Sequence, residues 1–181
     1  MGCITSIEDD TKKFNDFNFY NVPDFSLYNK ILLAKVVDIY DGDTCTIALI
    51  YTSPEKNVSV LKFKCRLRGI DCPEMKPLKS KVNREEEIRR AILARNKVIE
   101  LGTSLGVIPC DSPTKAQLKE KMMTNRRIVR LDCYEFDKYG RLLVDIWTPD
   151  GVCINHYLVE HKYAVEYDGG TKTVIDYSKN E

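Results

Sequence analysis

CRLRGIDCPE, at residues 65–74, ends a strand-like pattern and begins a loop that carries opposite charges. Two cations, Arg66 and Arg68, come first, and two carboxylates, Asp71 and Glu74, follow them. Charges brought this close together lose solvation unless something binds between them. We therefore expect a ligand here, and the candidates are a hard cation on the acids and a phosphate on the bases.

Alternating apolar and polar residues predict five strands around this loop. In the third strand the two faces differ: Leu61, Phe63, Cys65 and Leu67 lie on one, and Lys62, Lys64, Arg66 and Arg68 on the other. Turns at Asp41-Gly42-Asp43 and at Asp137 to Gly140 predict hairpins between the first two and the last two strands. The predicted strands are Ile31–Ile39, Thr44–Tyr51, Val58–Arg68, Arg127–Phe136 and Arg141–Trp147.

Helices are predicted between and after these strands. One begins at Asn83, whose side chain is expected to cap it with Glu86 at the third position, and it ends at Gly102. Residues 103–125 are predicted to form a lysine-rich insertion with a short helix. A further helix is predicted at Ile154–Lys162. Five strands closed by hairpins, with a helix after the third, predict an α+β, mainly β fold: a five-stranded OB-fold Greek-key barrel with packed helices.

Composition indicates a single globular domain. The chain has 181 residues, of which 43% are hydrophobic and 30% charged, as is ordinary for such a domain. We divide it into an N-terminal arm with aromatic residues at 1–29, the barrel domain at 30–168 and a C-terminal tail at 169–181.

Positive charge is concentrated in the middle of the chain. The formal net charge is only +1, yet residues 62–130 hold 18 Lys and Arg against 8 Asp and Glu. Such an excess suits a polyanionic ligand, although a basic face that is merely solvated explains it equally well.

The cysteines favour a reducing compartment. There are seven, an odd number, and none forms a CxxC pair, so they predict neither a disulfide framework nor a zinc site. The N-terminus has no apolar segment typical of a secretion signal. We expect an intracellular, cytoplasmic protein that is not secreted.

The first six residues match the pattern for N-terminal acylation. Gly2 is the expected myristate acceptor, Ser6 occupies the hydroxyl position, and Cys3 offers a site for a second acyl chain. Because one myristoyl chain binds membranes only marginally, stable tethering requires both chains. The alternative is an unmodified tail.

Three motifs in this order resemble the staphylococcal-nuclease-like (thermonuclease) family. They are Asp41-Gly42-Asp43-Thr44, then the stretch from Arg66 to Glu74, then Asp137-Lys138-Tyr139-Gly140-Arg141. The resemblance covers about residues 31–168. It implies an OB-fold barrel and a calcium-dependent phosphodiesterase that acts on DNA and RNA, with single strands preferred, by scission of the P–O5′ bond to leave 3′-phosphates. We expect it to be a monomer.

The resemblance also implies roles for particular residues. Asp43 and Asp71 match the carboxylates that bind Ca²⁺, and Cys72 matches a position that contributes its backbone carbonyl. The catalytic positions are Arg66, Glu74 and Arg141, and the positions that contact nucleotide phosphate are Lys138 and Tyr139.

Each motif also has a purely structural explanation. The aspartates and glycines form good turns, and Arg66 with Glu74 would make an ordinary salt bridge. A domain of this family that has lost catalysis would be a module binding nucleic acid or protein. The two metal-binding acids, both arginines and the glutamate are all present here, which favours the enzyme.

Acylation is tested by localisation. With a C-terminal fluorescent tag in a eukaryotic cell, the wild type should concentrate at membranes, and Gly2→Ala should be diffuse because it removes the myristate acceptor. Imaging of the two proteins measures this. A wild type as diffuse as the variant would exclude tethering through Gly2.

Overall fold

A closed five-stranded barrel forms the centre of the fold, in the neighbour order β1-β2-β3-β6-β5. The computed structural model describes residues 12, 14–53, 56–79, 82–109 and 113–170. Its barrel strands are β1 (Ile31–Ile39), β2 (Thr44–Thr52), β3 (Val58–Leu67), β5 (Val129–Phe136) and β6 (Leu142–Trp147). All neighbours are antiparallel except β3 and β6, which are parallel. The predicted fold class and its five strands are confirmed.

Alternation of side chains fills the barrel. On β3 the side chains of Cys65 and Leu67 are buried, whereas those of Lys62 and Lys64 are exposed. The inward residues of β3 meet those of β2, β5 and β6 in one apolar core, as the period of two requires. Arg66 departs from the predicted outward row, since only 13% of its side chain is exposed.

Helices pack on the outside of the barrel. They are α1 (Arg84–Gly102), α2 (Lys115–Met123) and α3 (Ile154–Glu160). The predicted Asn83 cap is wrong: Asn83 has a left-handed backbone with φ 59°, and its side chain makes no capping bond. Asparagine adopts the left-handed conformation more readily than most residues, because its short polar side chain can hydrogen-bond locally. A capping box exists instead at α2, between Thr114 and Gln117.

A second, two-stranded sheet follows the end of β3. It pairs β4 (Ile70–Asp71) antiparallel with β7 (Val165–Glu166). Asn155 on α3 is buried and donates to the carbonyl oxygens of Arg68 and Val144, at 2.9 and 3.0 Å. These bonds fix the end of β3 against β6, which is where the charged loop begins.

The N-terminal arm contacts the barrel through one aromatic residue. Phe25 stacks on Phe63 with 6.2 Å between ring centroids, and Leu27 is buried. Four further aromatic side chains of the arm are largely exposed: Phe14, Phe17, Phe19 and Tyr20. The arm therefore packs on the domain surface near Phe25. The domain limits drawn from the sequence stay predictions.

Candidate active site in a cleft beside the barrel

The turn between β1 and β2 forms part of the candidate site. Asp43 is buried, and its carboxylate accepts hydrogen bonds from the Cys72 backbone N–H at 2.9 Å and the Thr44 hydroxyl at 3.0 Å. Its own carbonyl oxygen accepts from the Leu67 N–H at 2.8 Å. The turn thereby joins β3 on one side and the loop after β4 on the other.

Arg66 bridges the two predicted metal-binding acids. One guanidinium nitrogen contacts Asp43 Oδ1, and the other lies 2.7 Å from Asp71 Oδ1 and 3.0 Å from the Ile70 carbonyl oxygen. Burial by itself lowers the pKa of this guanidinium, but the charges of Asp43 and Asp71 outweigh burial and hold the pKa above its ordinary value. The planar two-pronged group suits such a bridge, which a lysine would not reproduce.

A third acid, Asp41, lies in the same buried turn. Its carboxylate accepts the Asp43 N–H at 3.2 Å. Burial, followed by the nearby charge of Asp43, raises the pKa of Asp41 to about 7. The Asp41 carboxyl is therefore more readily protonated than an ordinary aspartate.

Cys72 contributes no thiolate. Its side chain is buried, and burial raises the pKa of the thiol well above its ordinary value. A neutral thiol is a poor ligand for a hard cation. Only the backbone of Cys72 therefore remains as a metal donor, as the family resemblance implies.

Arg141 is held by its own turn. Its Nε and Nη2 lie 2.7 Å from Asp137 Oδ2, and its backbone N–H donates to Asp137 Oδ1 at 2.9 Å. Burial raises the pKa of Asp137, but these hydrogen bonds outweigh burial, and the pKa lies below its ordinary value. Asp137 was seen in the sequence only as a turn residue, and it also orients the guanidinium.

An open cleft of about 1450 Å³ brings these groups together. Five of the residues singled out in the sequence line it: Arg66, Glu74, Lys138, Tyr139 and Arg141. Glu74 is exposed, and so is Tyr139. Asp43 and Asp71 lie behind Arg66, bonded to it. Gly2 and Cys3 lie outside the described residues.

A comparison with family models identifies the family of the chain. The family model described as staphylococcal nuclease homologue matches residues 64–180, more than half of the chain. The chain belongs to this family. A search of curated proteins found no match. Among solved structures, the chain is similar to the extended Tudor domain TD3 of mouse TDRD1, solved with a MILI peptide containing dimethylarginine 45: 8% identity and a TM-score of 0.45 over 80% of this chain and 97% of that one.

Membership of the staphylococcal nuclease family fits a nuclease or a nucleic-acid-binding module.

No helix within the described ranges has the length and apolar character needed to cross a membrane. The five cysteines in those ranges are free and buried.

Glu87 is a site residue that the sequence did not reveal. It is a buried carboxylate on α1, and its Oε1 accepts the backbone N–H of Glu74 at 3.3 Å. The sequence shows only three consecutive glutamates at the start of the helix, which read as helix-end charges. Only the fold shows that one of them points inward and holds the Glu74 loop.

The donors behind Arg66 suit a hard cation. They are the carboxylates of Asp43 and Asp71 and backbone carbonyl oxygens, which are the kinds of ligand that calcium prefers. Across the described residues, no group of three or more His, Cys, Asp or Glu side chains is arranged to hold a metal. A metal at this position would therefore have two carboxylates and take its other oxygens from the backbone and water.

Gly42 allows the acidic turn to lie close against α1. A Cβ at this position would lie 2.6 Å from Cys72 Sγ and 2.8 Å from Ala94 Cβ. Gly42→Ala should therefore lower the free energy of unfolding by about 1–3 kcal/mol, the usual cost of overpacking. Urea denaturation measures the loss.

Gly102→Ala is the matched control, because its Cβ would meet Ile154 Cδ1 at 3.4 Å, an ordinary contact. It should change stability by less than about 1 kcal/mol. Equal losses in the two variants would contradict the close packing of the turn.

Proposed function

We propose that the chain is a calcium-dependent nuclease that hydrolyses phosphodiester bonds of DNA and RNA. The observation that supports this most strongly is that Arg66, Glu74 and Arg141 line one cleft, and that Arg66 contacts both Asp43 and Asp71. A structural salt bridge alone would not require a second arginine and an exposed glutamate at the same opening.

Calcium is the proposed cofactor, held by the carboxylates of Asp43 and Asp71 and the backbone carbonyl of Cys72. When bound, it would supply positive charge to the attacked phosphate, whose own negative charge otherwise repels the nucleophile. The proposal is supported by the all-oxygen donor set and by the closeness of two buried carboxylates, both in contact with Arg66.

The two arginines are proposed to stabilise charge on the phosphate. Both are planar, permanently charged donors, and each is oriented by carboxylates: Arg66 by Asp43 and Asp71, and Arg141 by Asp137. Prealigned donors need little reorganisation when charge develops, which is where most electrostatic catalysis originates. The carboxylates that hold the arginines therefore support catalysis without contacting the substrate.

Glu74 is proposed to act on the attacking water, by accepting its proton or by orienting it. It is exposed at the cleft, and the hydrogen bond from its backbone N–H to Glu87 anchors its loop. A positioned carboxylate of this kind is worth about 10² to 10⁴ in rate. Following the family resemblance, we propose scission of the P–O5′ bond, which leaves 3′-phosphates.

A catalytically silent binding module is the alternative. One observation favours it: both arginines make ion pairs with carboxylates, which would also be a stable arrangement in a domain that only binds. The two functions differ in whether calcium-dependent cleavage occurs, so the same assay separates them.

Calcium should stabilise the fold through Asp43 and Asp71. An ion that binds only the folded state adds about 2.7 kcal/mol at ~100 times its dissociation constant, so the melting temperature should rise with Ca²⁺. The rise should shrink or vanish in Asp43→Asn. Asp150→Asn, an exposed turn position, is the control and should keep it. If Ca²⁺ raised the melting temperature of Asp43→Asn as much as that of wild type, the metal would have to bind at a position that does not involve Asp43.

Cleavage tests the enzyme directly. The purified protein with Ca²⁺ should cleave single-stranded DNA and RNA, and a chelator should stop it. Glu74→Gln keeps the shape but removes the proton acceptor, and should lose on the order of 10² to 10⁴ in rate. Arg141→Lys should lose a comparable amount, because lysine keeps the charge but not the planar pair of donors. Initial rates on a labelled oligonucleotide measure both losses.

The control for these variants is Glu135→Gln, on an exposed residue of β5 outside the cleft, which should keep wild-type activity. Binding of nucleic acid without any cleavage by the wild type would favour the binding module. Undiminished activity in Glu74→Gln would show that Glu74 has been given the wrong role.

A further inference from the structure

A third guanidinium, Arg68, opens into the same cleft. It makes a cation–π contact, in which the Arg68 guanidinium carbon lies 3.9 Å from the centroid of the Tyr134 ring. Its Nη2 lies 3.3 Å from Asp145 Oδ2, and 48% of its side chain is exposed. Nothing in the proposed cleavage chemistry uses this residue.

The support beneath Arg68 is rigid. Tyr134 donates its hydroxyl to Asp145 Oδ2 at 2.9 Å, and the buried Asn155 donates to Asp145 Oδ1 at 3.0 Å. Asn155 also binds the Arg68 carbonyl oxygen. The aromatic face and the carboxylate therefore fix one side of the guanidinium, while its exposed N–H groups remain oriented towards the cleft.

Strand pairing places Arg68 in line with the two proposed catalytic arginines. Arg66 pairs with Leu143 across the parallel β3–β6 ladder, and Arg141 precedes Leu142, the partner of Cys65. Arg68 thus lies two residues beyond Arg66, on the side away from Arg141, which is roughly 6.6 Å along a strand. Such a spacing is close to that of successive phosphates in an extended single strand.

Acidic side chains line the cleft together with the cations. The α3 helix and the segment around β7 contribute Glu160, Glu166 and Asp168, and four further acids also line it: Asp41, Glu74, Asp137 and Asp145. A polyanion is therefore attracted at the cationic side chains, among which are Arg68 and the two proposed catalytic arginines.

We propose that Arg68 binds the phosphate next to the attacked one, so that the cleft takes single-stranded polynucleotides with at least two consecutive phosphodiesters. This inference rests on the proposed function, because the attacked phosphate is the one at Arg66 and Arg141. Arg68 is a substrate-binding residue and takes no part in bond breaking.

The chain offers a closely matched control in Arg130. Its guanidinium carbon lies 4.5 Å from the Trp147 ring centroid, its Nε lies 3.2 Å from Asp132 Oδ1, and 44% of its side chain is exposed. It has the same three features as Arg68 but does not line the cleft. A general effect of losing a stacked surface arginine will therefore show equally in Arg130→Gln.

The first measurement is binding without cleavage. A fluorescent oligothymidylate 12-mer is titrated with wild type, Arg68→Gln and Arg130→Gln in a chelating buffer, at several salt concentrations. Arg68→Gln should weaken binding about tenfold and reduce the slope of log affinity against log salt by ~0.7, the value for one phosphate contact on a single strand. Arg130→Gln should match wild type in both.

The second measurement separates substrate length. With Ca²⁺, Arg68→Gln should raise the KM for the 12-mer about tenfold and leave kcat within about twofold, because the lost contact is far from the reacting atoms. Its kcat/KM for the dinucleotide dTpdT, which has one phosphodiester, should equal that of wild type. Arg68→Lys should recover part of the 12-mer affinity, since it retains the charge.

The outcomes distinguish this inference from the proposed function. If Arg68→Gln and Arg130→Gln bound the 12-mer equally well, the role of Arg68 would be overturned, whether or not the protein cleaves. Equal losses on the dinucleotide and the 12-mer would also overturn it. Wild type that binds but does not cleave would refute the nuclease, and the binding data alone would then decide on Arg68. Wild type that does not bind the 12-mer would refute the role of Arg68, and the cleavage assay with Ca²⁺ would then decide on the nuclease.

Discussion

The guanidinium of Arg66, held between the buried carboxylates of Asp43 and Asp71, is the interaction on which the rest of the structure depends. It joins the start of β2, the end of β3 and the short strand β4 at one point. Removing one partner of a buried ion pair typically costs about 3–5 kcal/mol, because the other charge is left without compensation. Replacing Arg66 would therefore expose the repulsion between two acids as well as remove a proposed catalytic group. Stability and the proposed catalysis therefore depend on the same three side chains.

Strand register turns this junction into a cleft. Antiparallel pairing sets Thr44 opposite Arg66, which places the acidic turn beside the arginine, and parallel pairing of β3 with β6 brings Arg141 to the same edge. Carboxylates that contact the arginines orient them, and further carboxylates on α3 and β7 line the same cleft. Cationic side chains that can attract a phosphate are thereby gathered at one opening.

Local pattern predicted the strands but not the contacts between them. Alternation over Val58–Arg68 and the turns at Gly42 and Gly140 are local signals, and the barrel followed from them. The Asn83 cap was wrong because asparagine also suits the left-handed backbone observed there. The hydrogen bond of Asn155 to the Arg68 carbonyl and the pairing of Arg68 with Asp145 could not be seen in the sequence, since the partners lie 87 and 77 residues apart. The site residues themselves came from the family resemblance, and their roles stay predictions.

The central claim is that Asp43 and Asp71 hold a metal beneath a phosphate bound by Arg66. A crystal structure of the Glu74→Gln variant with Ca²⁺ and a short single-stranded oligonucleotide tests it most directly. We expect calcium about 2.3–2.6 Å from a carboxylate oxygen of each aspartate, with a phosphate within hydrogen-bond distance of the Arg66 and Arg141 guanidinium groups. Calcium bound elsewhere, or an oligonucleotide lying outside the cleft while Arg66 spans both aspartates without a metal, would contradict the account.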